Sequence, residues 1–255
     1  MIHKTAIVDS KAKISDNVEI GPYSIIGPQV EIEANTVLHS HVNIVGNTKI
    51  GKNNEIYQFS SIGTPPQDLK YKGEKNSLII GNNNKFREYV NINPGTEQGG
   101  GLTRIGHNNL FMVYCHVAHD CILGDNVIMS NLSTLGGHVE LEDWVILGGG
   151  VLIHQFTKVG SHAFIGGGFR AVQDVPPYIL AAENPLEFKS VNSLGLKRRG
   201  FSLKDRKQIK KIYKIYFRSG SNRMESLNRI IDEMDSSDVK NQIVNFIKSS
   251  QRGII

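Results

Sequence analysis

Every sixth residue from Ile2 is aliphatic: Ile2, Val8, Ile14, Ile20, Ile26, Ile32, Leu38, Ile44, Ile50, Ile56 and Ile62. A second register runs from Ile105 through Phe111, Val117, Leu123, Met129, Leu135, Leu141, Leu147, Ile153, Val159 and Ile165 to Ala171. The next residue is often glycine (Gly21, Gly27, Gly51, Gly124, Gly160), and the fourth after each aliphatic is often small or apolar, as at Ala6, Ser24, Val127, Ser133 and Val139. A six-residue spacing fits neither the 3.6 period of a helix nor the twofold alternation of a half-buried strand. It predicts a parallel β-helix in which each hexapeptide forms one flat face and 18 residues close one triangular coil. The aliphatic residue points inward, and coils stack at about the 4.8 Å inter-strand spacing.

Two interruptions predict excursions from this prism. Between Ile62 and Ile80 the repeat positions fall on Asp68 and Glu74, so residues 64–78 (TPPQDLKYKGEKNS and Leu78) leave it as a loop. Between Ile92 and Ile105 the step is 13 rather than 12, and residues 94–103 form a second, glycine-rich loop. Loops held by a rigid scaffold are where binding groups tend to sit. After Asp174–Tyr178 the repeat stops. Ser202 is a helix N-cap candidate, with Ile209, Ile212, Tyr213, Tyr216 and Phe217 on one face and Gly220 as a stop. MESLNRIIDEM and DVKNQIVNFIKSS read as two further amphipathic helices. The expected architecture is mainly β: a parallel β-helix over residues 1–185, then a small α-helical domain over 186–255.

Charge separates the same two regions. Residues 186–255 hold 16 of the 29 Lys and Arg but 7 of the 24 Asp and Glu, so the formal net charge of +5 belongs to the C-terminal part. Such a surface is either an ordinary solvated helix face or an attractor of phosphates, nucleic acid, anionic lipid or an acidic protein. No apolar run approaches the roughly 18 residues of a membrane span, and the N-terminus lacks the apolar core of a signal peptide. Two cysteines, Cys115 and Cys121, make no disulfide framework and occupy inward slots of the repeat. A cytoplasmic protein is expected.

Histidines concentrate in the second half of the prism: His116, His119, His138, His154 and His162. Residues 18 apart stack, so Asp120 lies under His138, and His119, Gly137 and Gln155 share a column. His119 beside Asp120 suits a general base with a carboxylate partner. Gly137, lacking a side chain next to His119, leaves space and a backbone N–H that can stabilise an oxyanion. Histidines from adjacent coils or subunits could alternatively hold zinc.

With HVAHD (His116–Asp120), GGH (Gly136–His138), QDLKYKGE, GTEQGGGLT, HQF, QDVPPY and GLKRRGFS in order along essentially the whole chain, the sequence resembles the UDP-N-acetylglucosamine O-acyltransferases, which catalyse the first step of lipid A synthesis. The resemblance implies a left-handed β-helix and a cytoplasmic homotrimer, from a Gram-negative bacterium, with sites between subunits. It implies transfer of an (R)-3-hydroxyacyl group from the phosphopantetheine thioester of acyl carrier protein to the 3-hydroxyl of UDP-N-acetylglucosamine, without metal or other cofactor. By resemblance His119 is the base, Asp120 orients it and Gly137 supplies the oxyanion N–H. Asp68, Lys70, His116 and His138 contact sugar or phosphates; His154, Gln155, Asn192, Arg198 and Arg199 lie near the nucleotide; and Gly167 lines the acyl tunnel. The basic tail suits an acidic carrier protein. Asn93-Pro94 stands where many relatives have His-Arg, and Leu194 where some have an acidic residue, so contacts made there are not carried over.

Rival readings share the scaffold. These are acylation of a 3-amino analogue of the sugar, a coenzyme A-dependent acetyltransferase, a zinc carbonic anhydrase of the γ type, and a purely structural β-helix. The related N-acyltransferase later in the pathway has an N-terminal uridine-binding domain, for which a chain entering its repeat at Ile2 has no room.

Overall fold

The computed structural model describes residues 1–220 and 222–255. Short strands from Ile7–Val8 to Arg170–Ala171 build three parallel sheets, of nine, eight and eight strands, that form the faces of a left-handed triangular prism; two later strands extend the third sheet to ten. Register follows the 18-residue coil, as in Ile7↔Ile25 and Ile128↔Ile146. The two excursions show in the ladder. Ser61 pairs with Asn91, 30 residues on, and Asn91 with His116, 25 on. Ser77 is already ladder-paired with Leu102, and Leu78 with Thr103, at the loops' ends.

The repeat aliphatics from Ile20 to Ile165 are buried and stack coil upon coil, Phe86 on Phe111 with ring centroids 4.8 Å apart. Buried polar residues in the small slot bond across coils, with Thr157 Oγ1 an exception: Ser24 Oγ donates to the His39 carbonyl, and Thr36 Oγ1 to that of Gly51. That pairing is what lets polar atoms sit inside the prism. Cys115 and Cys121 fill the same slot, and burial pushes each thiol up to about 12, which leaves them inert packing groups.

At most corners the third residue after the aliphatic has φ near +60°, and each prism edge is a column of such residues. Asn17, Asn35, Asn53, Asn83, Asn108 and Asn126 fill one edge, since asparagine visits this conformation readily. Trp144 and His162 continue it. A second edge carries Tyr23, His41, Phe59, Tyr89 and Tyr114, whose rings stack 4.7–5.2 Å apart. Asp120, His138 and Phe156 occupy the third.

Beyond Tyr178 the coil does not simply end. Ile179–Ala182 pairs in parallel with Phe164–Ile165, and Glu187–Val191 returns antiparallel to it, a hairpin that the lost period did not announce. Four helices follow: α1 (Ser193–Arg198), α2 (Leu203–Arg218), α3 (Arg223–Glu233) and α4 (Asp238–Ser249). Side chains of Asn192, Ser202, Asn222 and Ser237 cap their N-termini. Buried Ile209, Ile212, Tyr213 and Tyr216 of α2 face the prism end, where Tyr213 Oη donates to the Pro177 carbonyl at 2.6 Å. No described helix is long and apolar enough to cross a membrane.

Candidate functional site

Asp120 is a corner residue, and its φ of 60° turns the carboxylate back beside its own neighbour. Asp120 Oδ2 accepts from His119 Nδ1 at 2.7 Å, with the Asp120 side chain 1% and the His119 side chain 15% exposed. A neutral His119 therefore carries its proton on Nδ1 and leaves Nε2 free as a base. His138, the corner residue one coil on, sets its ring perpendicular to His119 at 5.2 Å and stacks on Phe156 at 4.3 Å. Its Nε2 lies 3.8 Å from Asp120 Oδ2. Burial holds the His138 and His116 pKa values below the usual imidazole range, so both are neutral near pH 7.

Gly137 faces His119 as the 18-residue column requires. A Cβ at Gly137 would sit 2.7 Å from His119 Cε1, so the imidazole fills the space that the missing side chain leaves. Among the described residues nothing accepts the Gly137 N–H.

The first loop closes over this edge. A cleft of about 630 Å³ is lined by Gln67, Asp68, Leu69, Lys70, Thr96, Gln98, His119, His138, Gln155 and Phe156. Asp68, Lys70 and Gln155 thus line the same cleft as His119 and His138. His116 is held by Asn91, whose Oδ1 lies 2.7 Å from His116 Nδ1, and His154 Nδ1 donates to the Gln155 carbonyl at 3.1 Å. Gln67, Gln98, Thr96 and Phe156 were not singled out from the sequence. Their only signals were their places in the two interruptions and, for Phe156, at a corner.

Other candidates lie on other edges of the same prism. His162 is not part of the His119 cluster. It stacks between Trp144 and Tyr178, with Arg199 Nη1 3.2 Å from its Nδ1 and the Arg199 guanidinium 5.0 Å over the Trp144 ring. Asn192 caps α1 and donates Nδ2 to the His162 carbonyl at 3.0 Å, while Arg198 is exposed at the end of α1. Gly167 lies over Gly149 on the edge that Tyr114 and Leu132 begin, a bare strip of glycines. Of the two departures, Asn93 is buried, and its Nδ2 donates to the Thr64 and Pro65 carbonyls, tying the root of the first loop. Leu194 is 60% exposed on α1.

Burial and the Arg199 charge lower His162 to about 4. Between pH 6.5 and 4 the unfolded chain takes up this proton and the folded one does not, so stability is full above 6.5 and lost as pH falls. A shift of this size corresponds to on the order of 3 kcal/mol. Thermal unfolding across that window is expected to show a steep fall in Tm for the wild type and a shallower one for His162→Gln; equal slopes would exclude the His162 contribution.

Two family profiles match the chain: Bacterial transferase hexapeptide (six repeats), over residues 102–137, and Udp N-acetylglucosamine O-acyltransferase, Domain 2, over residues 174–255. The acyl-[acyl-carrier-protein]–UDP-N-acetylglucosamine O-acyltransferase of Herminiimonas arsenicoxydans is 48% identical, covering 100% of this chain and 99% of that one. That of Aliarcobacter butzleri is 47% identical over 99% and 97%. The solved structure of LpxA from Acinetobacter baumannii superposes with a TM-score of 0.97 at 46% identity, covering 100% of this chain and 99% of that one. With likeness of that degree running end to end through both prism and helices, this chain belongs to the UDP-N-acetylglucosamine O-acyltransferase family.

Proposed function

We propose that the chain transfers an (R)-3-hydroxyacyl group from acyl carrier protein to the 3-hydroxyl of UDP-N-acetylglucosamine. The observation that carries the chemistry is the His119–Asp120 pair, its Nε2 free, facing the side-chain-less Gly137. His119 Nε2 takes the hydroxyl proton as the sugar oxygen attacks the thioester carbonyl. The Gly137 N–H stabilises the oxyanion, and collapse expels the phosphopantetheine sulfur, which recovers the proton from His119. One positioned base contributes typically 10²–10⁴-fold, and one oxyanion donor about 10²–10³-fold. Asp120 orients the base. Asp68, Lys70, His116, His138, His154 and Gln155 hold the sugar and diphosphate.

Asn192, Arg198, Arg199 and Gly167 serve the same reaction from a neighbouring copy. The Asp120 edge, the Gly167 edge and the Trp144–His162 edge are three corners of one prism, and a single copy cannot gather them. A homotrimer sets an edge of each copy against its neighbour's. The stacked, solvent-facing rings from Tyr23 to Tyr114 favour such an assembly, since exposed apolar stripes mark contact surfaces. Residues 186–255 form the basic helical domain that docks the acidic carrier protein. On α2, Lys204, Lys207, Lys210, Lys211 and Lys214 project with no ion pair among the described residues. The reading sets the reaction in the cytoplasm, a reducing compartment that suits the two free, buried cysteines.

His119, Asp120 and His138 also bring ligand-type atoms within 4.8 Å of one another. The direct transfer above uses none of them for a metal. Purified protein, labelled UDP-N-acetylglucosamine and 3-hydroxyacyl carrier proteins of several lengths are expected to yield product, greatest with one length and unchanged by a chelator. Absence of product with every donor would overturn the reading, as would activity lost to chelation and restored by zinc.

A further inference from the structure

The second loop, expected to carry binding groups outward, turns its first residues inward onto a single carboxylate. Thr96 N donates to Asp120 Oδ1 at 2.8 Å, and Thr96 Oγ1 donates to Asp120 Oδ2 at 2.7 Å. From the loop's far end Thr103 Oγ1 accepts the Asp120 N–H at 2.8 Å. Both threonines are buried, at 2% and 0% exposure. The loop backbone lies directly on the carboxylate: a Cβ at Gly99 would meet Asp120 Cγ at 2.1 Å, a contact only glycine avoids. The excursion of residues 95–101 is thus shaped around Asp120.

We propose that Thr96 is a positioning residue, which clamps both oxygens of Asp120 and thereby fixes which histidine the acid orients. The inference rests on the reading of His119 as base. Asp120 Oδ2 has two imidazoles in range, His119 at 2.7 Å and His138 at 3.8 Å. A carboxylate free to rotate shares itself between them. Two donors from one residue, one backbone and one hydroxyl, lock the carboxylate plane so that Oδ2 remains on His119 Nδ1. Side chains that set the orientation of a reacting group act through geometry, and misplacement by about 1 Å can cost about 10²-fold in rate. Thr96 Oγ1 spends its proton on Asp120, so its contribution to the reaction runs through the acid.

The test compares wild type, His119→Ala, Thr96→Val and Thr96→Ser in one transfer assay. Valine keeps the volume and the backbone donor and removes the hydroxyl; serine keeps the hydroxyl. For Thr96→Val, kcat is expected to fall about 10- to 100-fold, with KM for both substrates within about twofold. Thr96→Ser is expected to restore most of the loss. Should Thr96→Val fail to fold, Thr96→Ala is measured in its place, with the same expectations. Wild-type kcat in the hydroxyl-less variant would overturn the inference, as would a loss that serine does not repair. Full activity of His119→Ala would instead overturn the assignment of the base, so the two failures are distinguishable.

Discussion

Gly137→Ala is expected to lower kcat by about 100-fold or more while the protein folds and assembles as before. Gly137 has no positive φ, so alanine meets no backbone penalty there. Its nearest conflict is with the base. The new Cβ would lie 2.7 Å from His119 Cε1, 2.9 Å from Nε2 and 3.2 Å from Nδ1, and the ring must move away. The cleft offers it room, which keeps the cost in stability small. Movement toward the cleft, however, breaks the 2.7 Å line from Nδ1 to Asp120 and carries Nε2 away from the substrate hydroxyl. Because the Gly137 N–H survives the substitution, the loss reports displacement of the base rather than removal of the oxyanion donor. Steady-state kinetics beside thermal unfolding check this: turnover should collapse with Tm lower by no more than a few degrees. Near-normal turnover would mean that His119 does not work from the position in which the structure holds it.

What was legible in the sequence is what the core demands. One aliphatic in six must fill the prism axis, so Ile20, Leu38, Ile56 and Leu147 announced the coil, and the broken steps before Ile80 and Ile105 announced both loops. The column of His119 and Gly137 followed from the 18-residue coil alone. The corners were not legible, because hydrophobicity does not mark a residue with φ near +60°. Asn17, Asn35 and Asn53 carry a signal of it, but Asp120 and His138 belong to the same class and stood out only as acid and imidazole. The direction of a loop was equally hidden. Nothing in GTEQGGG tells that Thr96 turns inward while Leu69 of the other loop points fully into solvent. The hairpin of Ile179–Ala182 and Glu187–Val191 escaped because its strands no longer obey the six-residue step.

His119→Ala is expected to reduce transfer by about 10²–10⁴-fold, the range a positioned general base supplies. The fold should survive for a specific reason. Removing a partner from a buried charge usually destabilises by several kcal/mol, but Asp120 retains two donors from Thr96, one to each oxygen, when the imidazole is gone. The carboxylate therefore keeps its hydrogen bonds, and unfolding temperature and assembly size should change little. Binding of UDP-N-acetylglucosamine, carried by groups around the cleft, should weaken by less than about tenfold. Retention of more than about a tenth of wild-type turnover would reject His119 as the base. Attention would then pass to His138, the next imidazole within reach of Asp120 and already neutral in its buried setting.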